Sequence, residues 1–213
     1  MEPELPSGTV AAVREQTQGR GRREREWLSE ANENLTFSLF LRTVSECWKT
    51  SSVSMAAAVA VAELLQDEGV NANLKWPNDV LVGGKKICGI LSEGVSGGVI
   101  IGIGLNVNMD SADHIDQPAT SLLIEIGERR SMDELLEKLL PILSDRLGDW
   151  EEGGFSKVRK KWESNVPTLG KTVTVRDGDA VRTGVLHGFG DDGELLLDEN
   201  GVISAVWAGD LSA

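Results

Sequence analysis

Val80-Leu81-Val82 and Lys86-Ile87-Cys88-Gly89-Ile90-Leu91 stand on either side of Gly83-Gly84, and that arrangement constrains the fold more than any other. Two adjacent glycines supply the positive φ angles of a tight hairpin turn, so the runs pair as antiparallel neighbours. Val99-Ile100-Ile101-Gly102-Ile103 follows as a further buried strand. Upstream, Thr9-Val10-Ala11-Ala12-Val13-Arg14 and Leu35-Thr36-Phe37-Ser38-Leu39-Phe40-Leu41 read as strands. An Arg/Gly segment between them is expected to form a long loop joining a strand pair.

Helical periodicity takes over elsewhere. Ser54 to Glu68, with Met55, Val59, Ala62 and Leu65 on one stripe, predicts a helix closed by Gly69. Ser131 with Glu134 three residues on is a capping-box signature for a helix striped by Leu135, Leu136, Leu139, Leu143, Leu147 and Trp150, which Pro141 is expected to bend or split. A shorter helix carries Phe155, Val158 and Trp162 and ends near Pro167. From Lys171 onward, short β-rich runs are punctuated by Asp177-Gly178, Gly190-Asp191-Asp192-Gly193 and Asn200-Gly201, which predicts a small all-β module of roughly five strands. The expected division is residues 1–166 and 167–213.

A chain of 213 residues that is 40% hydrophobic can bury one sizeable core and carry a small appended module. No run approaches the ~20 apolar residues of a membrane span, and the first residues lack the basic and apolar regions of a secretory signal. A cytoplasmic protein without a membrane partner is therefore expected. The formal net charge of -13 argues against nucleic acid as a partner, because such domains present a basic face. The same excess is one lever of salt-adapted proteins, and composition leaves that reading level with an ordinary acidic chain. Cys47 and Cys88 sit in unlike contexts and are expected to be separate free thiols rather than a disulfide or metal site.

Three strings carry the chemistry. Gln18-Gly19-Arg20-Gly21-Arg22-Arg23-Glu24-Arg25-Glu26-Trp27 concentrates guanidinium forks around glycines, a combination suited to phosphate capture by a loop that orders around its ligand. On residue types alone, an exposed turn that binds nothing explains it equally well. Lys75 precedes Trp76-Pro77-Asn78-Asp79, so it is expected at the end of an extended segment, a fixed ammonium able to stabilise charge on a carboxylate or phosphoryl oxygen. A surface lysine beside a core tryptophan is the plainer alternative. Gly102-Ile103-Gly104-Leu105-Asn106 lacks the third glycine and the following helix of a dinucleotide fingerprint, and no phosphate-binding P-loop string is present. With only His114 and His187 available, both in polar contexts, hydrolase triad chemistry is not expected.

Taken together, Glu15-Gln16-Thr17 running into GRGRR, KWPNDVLV from Lys75, KICGILSEG from Lys86, GIGLNVN from Gly102 and Ala119-Thr120-Ser121-Leu122 resemble the biotin protein ligase family. The resemblance implies an α+β fold: a mixed β-sheet flanked by helices, related to class II aminoacyl-tRNA synthetases, followed by a small SH3-like barrel. It implies biotin, ATP and Mg2+, and a biotin carboxyl carrier domain of a carboxylase as partner. Lys75 and Arg22 are then the expected catalytic residues. Gln16, Gly19, Arg20, Gly21 and Arg22 are expected to hold biotin and its adenylate, Arg23 and Arg25 the outer phosphates, and Gly89, Leu91 and Gly102 the biotin cleft. Trp27, Asn78 and Gly104 complete the ligand set, and Asn106 is expected near the metal and triphosphate.

The family's amino-terminal Ser-Thr-Asn stretch is not found here. A truncated reading frame is the expectation that follows, with a carrier- or biotin-binding module as the alternative. Lipoate attachment, a related chemistry on a similar fold, is opposed by the KWPND and GRGRR strings. No DNA-binding helical domain precedes the motifs, so a repressor role is not expected. Homodimerisation, common in the family, is left open.

Overall fold

The computed structural model describes residues 5–42, 50–112 and 115–212; Cys47 and His114 lie outside the described residues. Six strands form the first sheet: β1 (Thr9–Val13), β2 (Asn34–Arg42), β3 (Asn73–Lys75), β4 (Asp79–Val82), β5 (Lys85–Val95) and β6 (Gly98–Asn106). Their spatial order is β1-β2-β6-β5-β4-β3. Every neighbouring pair is antiparallel, which corrects the expected mixed sheet. The reason lies in the connections. β3 to β6 are joined by short turns, whereas a parallel pair needs a crossover of a dozen or more residues. The long crossover through helix α1 (Thr50–Asp67) carries the chain from β2 to the far edge at β3 and creates no parallel neighbour. The hairpin forms as its glycines predict, with Gly83 at φ 57° and Gly84 at φ 80°.

Helix α1 begins four residues before the predicted start, and from Val53 to Val61 every residue is buried. Its alanines leave little bulk, so it lies against the sheet on one side and against α3 (Met132–Gly153) and α4 (Phe155–Ser164) on the other. A short α2 (Leu122–Ile126) precedes them. The Ser131 side chain accepts the Glu134 N–H as the capping signature predicts. Of the two outcomes expected at Pro141, bending or splitting, the second does not occur: α3 runs unbroken through it. Pro141 faces solvent, as does Glu137 one turn earlier, so water can satisfy the carbonyl freed by the missing proline N–H.

The second sheet holds five strands, as the turn spacing predicts: β7 (Thr172–Asp177), β8 (Ala180–Phe189), β9 (Leu195–Glu199), β10 (Val202–Val206) and β11 (Asp210–Ser212), in the order β10-β9-β8-β7-β11. It is joined to the rest by a continuous apolar core. Phe155, Trp162 and Phe189 meet edge to face with ring centroids 5.9 to 6.5 Å apart. Among the described residues, no helix is long and apolar enough to cross a membrane. Cys88 is free and fully buried in β5, and burial raises its thiol pKa far above the ordinary range.

Candidate functional site

The two-residue period of the strands sorts the first sheet into a packed face and an open one. Leu35, Phe37, Leu39, Ile101, Ile103, Leu105, Cys88 and Ile90 are buried in the core. The alternate positions are small or polar except for Leu91: Thr36 and Ser38 on β2, Gly102 and Gly104 on β6, Gly89 and Leu91 on β5. Cross-strand register sets Thr36, Gly104 and Gly89 in one row and Ser38, Gly102 and Leu91 in the next. These six residues line a cavity of about 290 Å³.

Trp27 lies across the first row. A Cβ on Gly104 would stand 2.3 Å from its indole ring and one on Gly89 would stand 3.1 Å from it, so the two glycines make the shelf on which the ring rests. The indole Nε1 is buried with no hydrogen-bond partner among the described residues. An orphaned buried donor costs about 1–3 kcal/mol. A ligand acceptor at the cavity wall would satisfy it.

The Arg/Gly segment is a folded-back ribbon in the structure. Trp27 N–H donates to the Gly19 carbonyl (3.0 Å) and Gly21 N–H to the Arg25 carbonyl (2.7 Å), with a single 3-10 turn at Arg22–Glu24. Gly19 is required by close approach, since a Cβ there would stand 2.2 Å from the Trp27 carbonyl oxygen. The ribbon puts Arg22 and Arg25 at the cavity and turns Arg23 outward toward the second sheet. Arg22 is half-buried. Burial lowers its pKa, an effect opposed by the nearby Asp210 carboxylate, reinforced by Arg23 and opposed again by Asp79. Its Nη1 faces the Asn78 Oδ1 and the Gly209 carbonyl, each at 3.5 Å.

Opposite the ribbon, β3 ends at Lys75 and leads into the turn through Trp76, whose bond to Pro77 is cis. Trp76 is 2% exposed, and its indole N–H donates to the Gly193 carbonyl in the turn between β8 and β9 of the second sheet (3.0 Å). Asn78 Nδ2 donates to the Ile90 carbonyl (2.5 Å), fixing the turn against β5. Lys75 is thus held at the cavity wall by anchored backbone. Among the described residues, its ammonium has no hydrogen-bond or ion-pair partner.

Several lining residues escaped the sequence reading, among them a part-buried charged pair. Lys86 and Asp79 both line the cavity and form an ion pair at 2.7 Å, with side chains 17% and 21% exposed. Lys86 Nζ also sits 5.9 Å from the Trp27 ring centroid. Simple alternation from Gly89 and Leu91 would send Lys86 to the packed face. A β-bulge intervenes: Val80 pairs with Cys88 but Leu81 pairs with Lys86, so Ile87 is the extra residue and Lys86 turns to the open side. The signal in sequence was the adjacent apolar pair Ile87-Cys88, which breaks the alternation.

Of the residues predicted for the site, Gln16, Arg20, Gly21, Arg22, Arg25, Trp27, Lys75, Asn78, Gly89, Leu91, Gly102 and Gly104 line this one cavity. Gly19 stands behind it as a backbone support, and Arg23 lies outside its wall. Asn106 requires correction. It is buried at 3% exposure, its Oδ1 accepts from Asn34 Nδ2 (2.8 Å) and its Nδ2 donates to the Thr120 carbonyl (2.9 Å). Both ends of its amide are engaged in a structural link, and it is not among the residues that line the cavity. Among the described residues, no group of three or more His, Cys, Asp or Glu side chains could hold one. His187 is exposed on the second sheet, away from the cavity.

Known proteins resemble this chain in sequence and in fold. The sequence profile of the biotin/lipoate A/B protein ligase family matches residues 1–110. The bifunctional ligase/repressor BirA of Bacillus subtilis is 34% identical over 215 residues, a match covering 97% of this chain and 66% of the relative, so the chain spans about two thirds of that protein. The biotin--[acetyl-CoA-carboxylase] ligase of Paracoccus denitrificans is 32% identical, with 92% of this chain and 86% of the relative covered. In three dimensions, the biotin protein ligase from Aquifex aeolicus in complex with biotin and ATP superposes with a TM-score of 0.86 at 32% identity, covering 99% of this chain and 90% of that one. The chain belongs to the biotin/lipoate A/B protein ligase family.

Proposed function

We propose that this chain is an ATP-dependent biotin protein ligase that forms biotinyl-5'-AMP and passes the biotinyl group to a lysine of a biotin carboxyl carrier domain. The observation that carries the reading is the convergence of Lys75 and Arg22 on a glycine-floored cavity, in a chain whose net charge is -13. Five basic side chains line that cavity against four acidic ones, so it reverses the sign of the molecule around it. An acidic protein that concentrates cations at one recess is built to receive an anion there.

In the first half-reaction a biotin carboxylate oxygen bonds to the α-phosphorus of ATP and the bond to pyrophosphate breaks. In the second, a carrier lysine amine attacks the biotinyl carbonyl of the mixed anhydride, AMP leaves, and the amine loses a proton. Gly89, Gly102, Gly104, Leu91 and Trp27 suit an apolar ring system with a short aliphatic tail, and the glycines leave room for it. Gln16, Arg20 and Gly21 supply polar contacts at its edge. Lys75 meets the reacting carboxylate and α-phosphate, where its ammonium stabilises developing charge without first leaving another partner. Lys86, held by Asp79, adds a second oriented cation. Arg22 retains the anhydride, and the ribbon above it keeps water away. Arg25, with Arg23 behind it, faces the outer phosphates.

Among the described residues no side-chain cluster forms a cation cage, so magnesium is read as arriving with the nucleotide phosphates, and no step is assigned to Asn106. The second sheet, with its order β10-β9-β8-β7-β11, is read as the SH3-like module following a catalytic unit of residues 1–166.

The test is pyrophosphate release on mixing the chain with ATP and biotin, followed by mass spectrometry of a carrier domain. Release that requires biotin, with one biotinyl group added to the carrier, is the expected result. Lipoate in place of biotin is the control. Release with lipoate alone, or none with either acid, overturns the reading.

A further inference from the structure

The Arg/Gly ribbon is fastened to the second sheet by a chain of alternating charges. Arg23 Nη2 donates to Asp177 Oδ1 (2.5 Å), Arg23 Nη1 lies 3.5 Å from Asp210 Oδ2, and Arg25 Nη2 donates to that same Asp210 oxygen. Arg23 Nη1 also reaches the Arg176 carbonyl at 3.4 Å. The two carboxylates belong to neighbouring strands, since Asp210 on β11 pairs with Arg176 on β7 and Asp177 follows it. Each joins the ribbon across more than 150 residues of sequence. Asp210 is also a lining residue of the cavity, an acid at a site meant for anions.

Isolated surface ion pairs contribute little, but this set acts on one strained point. Arg23 has φ 56° and ψ 43°, the left-handed region that non-glycine residues avoid, and such a conformation persists where the surroundings over-determine it. Arg23 is the residue next to Arg22, which lines the cavity and reaches the Gly209 carbonyl just before Asp210. Fixing Arg23 therefore fixes the aim of Arg22.

We infer that Asp177 and Asp210 are positioning residues, a carboxylate clasp by which the C-terminal sheet holds the Arg/Gly ribbon over the cavity and keeps Arg22 directed at a phosphate. Every contact of the clasp is made within this one chain. Its part in nucleotide capture rests on the ligase reading above. Because its members are part-exposed, salt weakens it.

Trypsin cuts after arginine and so reports directly on the ribbon. The experiment compares tryptic nicking after Arg22, Arg23 and Arg25 in the full chain, in the Asp177→Asn/Asp210→Asn variant, and in Asp179→Asn as a control on the same sheet. The double variant is expected to be nicked about tenfold faster, with an unchanged unfolding midpoint, because only a local opening has become easier. Each single variant serves the same comparison if the double variant does not fold. In the same proteins KM for ATP is expected to rise about tenfold with KM for biotin nearly constant, and Asp210→Glu to recover part of the loss. Equal nicking in all three proteins overturns the clasp even if the wild type ligates biotin. Faster nicking in a chain that releases no pyrophosphate keeps the clasp and removes the ligase reading.

Discussion

The cavity is bounded by two cation-bearing segments built on opposite principles. The Lys75 turn is held by buried structure: β3 pairs behind it, Trp76 is inserted into the core and bonded to Gly193, and Asn78 is bonded to β5. The Arg/Gly ribbon is held by three backbone hydrogen bonds, a tryptophan on a glycine shelf and a set of part-exposed ion pairs. Both meet the second sheet, one through an indole in the core and the other through carboxylates at the rim. A rigid donor stabilises transition-state charge without reorganising. A cover that admits substrate and releases product must move. On the proposed ligase reading, fixed Lys75 fills the first role and the part-exposed arginines the second.

The largest expected effect tests the fixed half. Lys75→Ala removes a preorganised donor and is expected to slow adenylation by about 10² to 10³ in single-turnover measurements, with little change in stability. Arg25→Ala, on the adjustable half, is expected to raise KM for ATP with a smaller effect on that step. If both variants lose the same factor in the same parameter, the contrast between the segments fails.

Gly104→Ala comes next, because it strikes the shelf shared by ribbon and sheet. Its Cβ would overlap the Trp27 ring, so the indole must leave or the strand must shift. Overpacking of this kind costs about 1–3 kcal/mol, and biotin affinity by calorimetry is expected to fall by about one to two orders of magnitude. Gly102→Ala makes the comparison sharper. The same Cβ there finds its nearest neighbour at 3.6 Å, and affinity should change far less.

How much of this was legible in the sequence follows the same division. The hairpin at Gly83-Gly84, the helix cap at Ser131 and the five short C-terminal strands rest on local turn and cap chemistry, which neighbouring residues suffice to specify. The glycine floor was legible only through the family resemblance carried by KICGILSEG and GIGLNVN, which named Gly89, Leu91, Gly102 and Gly104. Lys86 was hidden because a one-residue bulge reverses facing, and the pairing partner of Ile87 cannot be read from its neighbours. Asn106 misled because a motif fixes residue type and spacing but not whether an amide is already engaged by Asn34 and Thr120. The clasp was invisible because Asp177 and Asp210 lie more than 150 residues from the arginines they hold, in a run that otherwise reads as acidic surface.

A smaller effect tests whether the Lys75 turn depends on the second sheet. Trp76→Phe keeps the apolar body and deletes the N–H, leaving the Gly193 carbonyl without that donor. A loss of about 1–2 kcal/mol in chemical denaturation is expected. The loss should be in stability, with tryptic nicking of the ribbon unchanged, since the clasp is a separate attachment. Increased nicking would show that the two attachments are coupled.

The smallest effect concerns an ion pair outside both segments and separates the clasp from the general response of this acidic chain to pH. Glu68, 6% exposed in its side chain, accepts from Lys138 Nζ (2.6 Å) and Arg130 Nε (2.8 Å) and ties the end of α1 to α3. The hydrogen bond from Lys138 and then that from Arg130 hold its pKa below the ordinary 4.5. A carboxyl with a depressed folded pKa stabilises the fold above its unfolded value and loses that contribution as pH falls toward the folded one. Glu68→Gln is therefore expected to lower stability by about 1 kcal/mol at neutral pH and to converge with the wild type below pH 4.5. Ribbon nicking, measured at neutral pH, should be the same in both. If Glu68→Gln opens the ribbon as readily as Asp210→Asn does, the loop is responding to overall loosening of the fold, and the specific role of the rim carboxylates is lost.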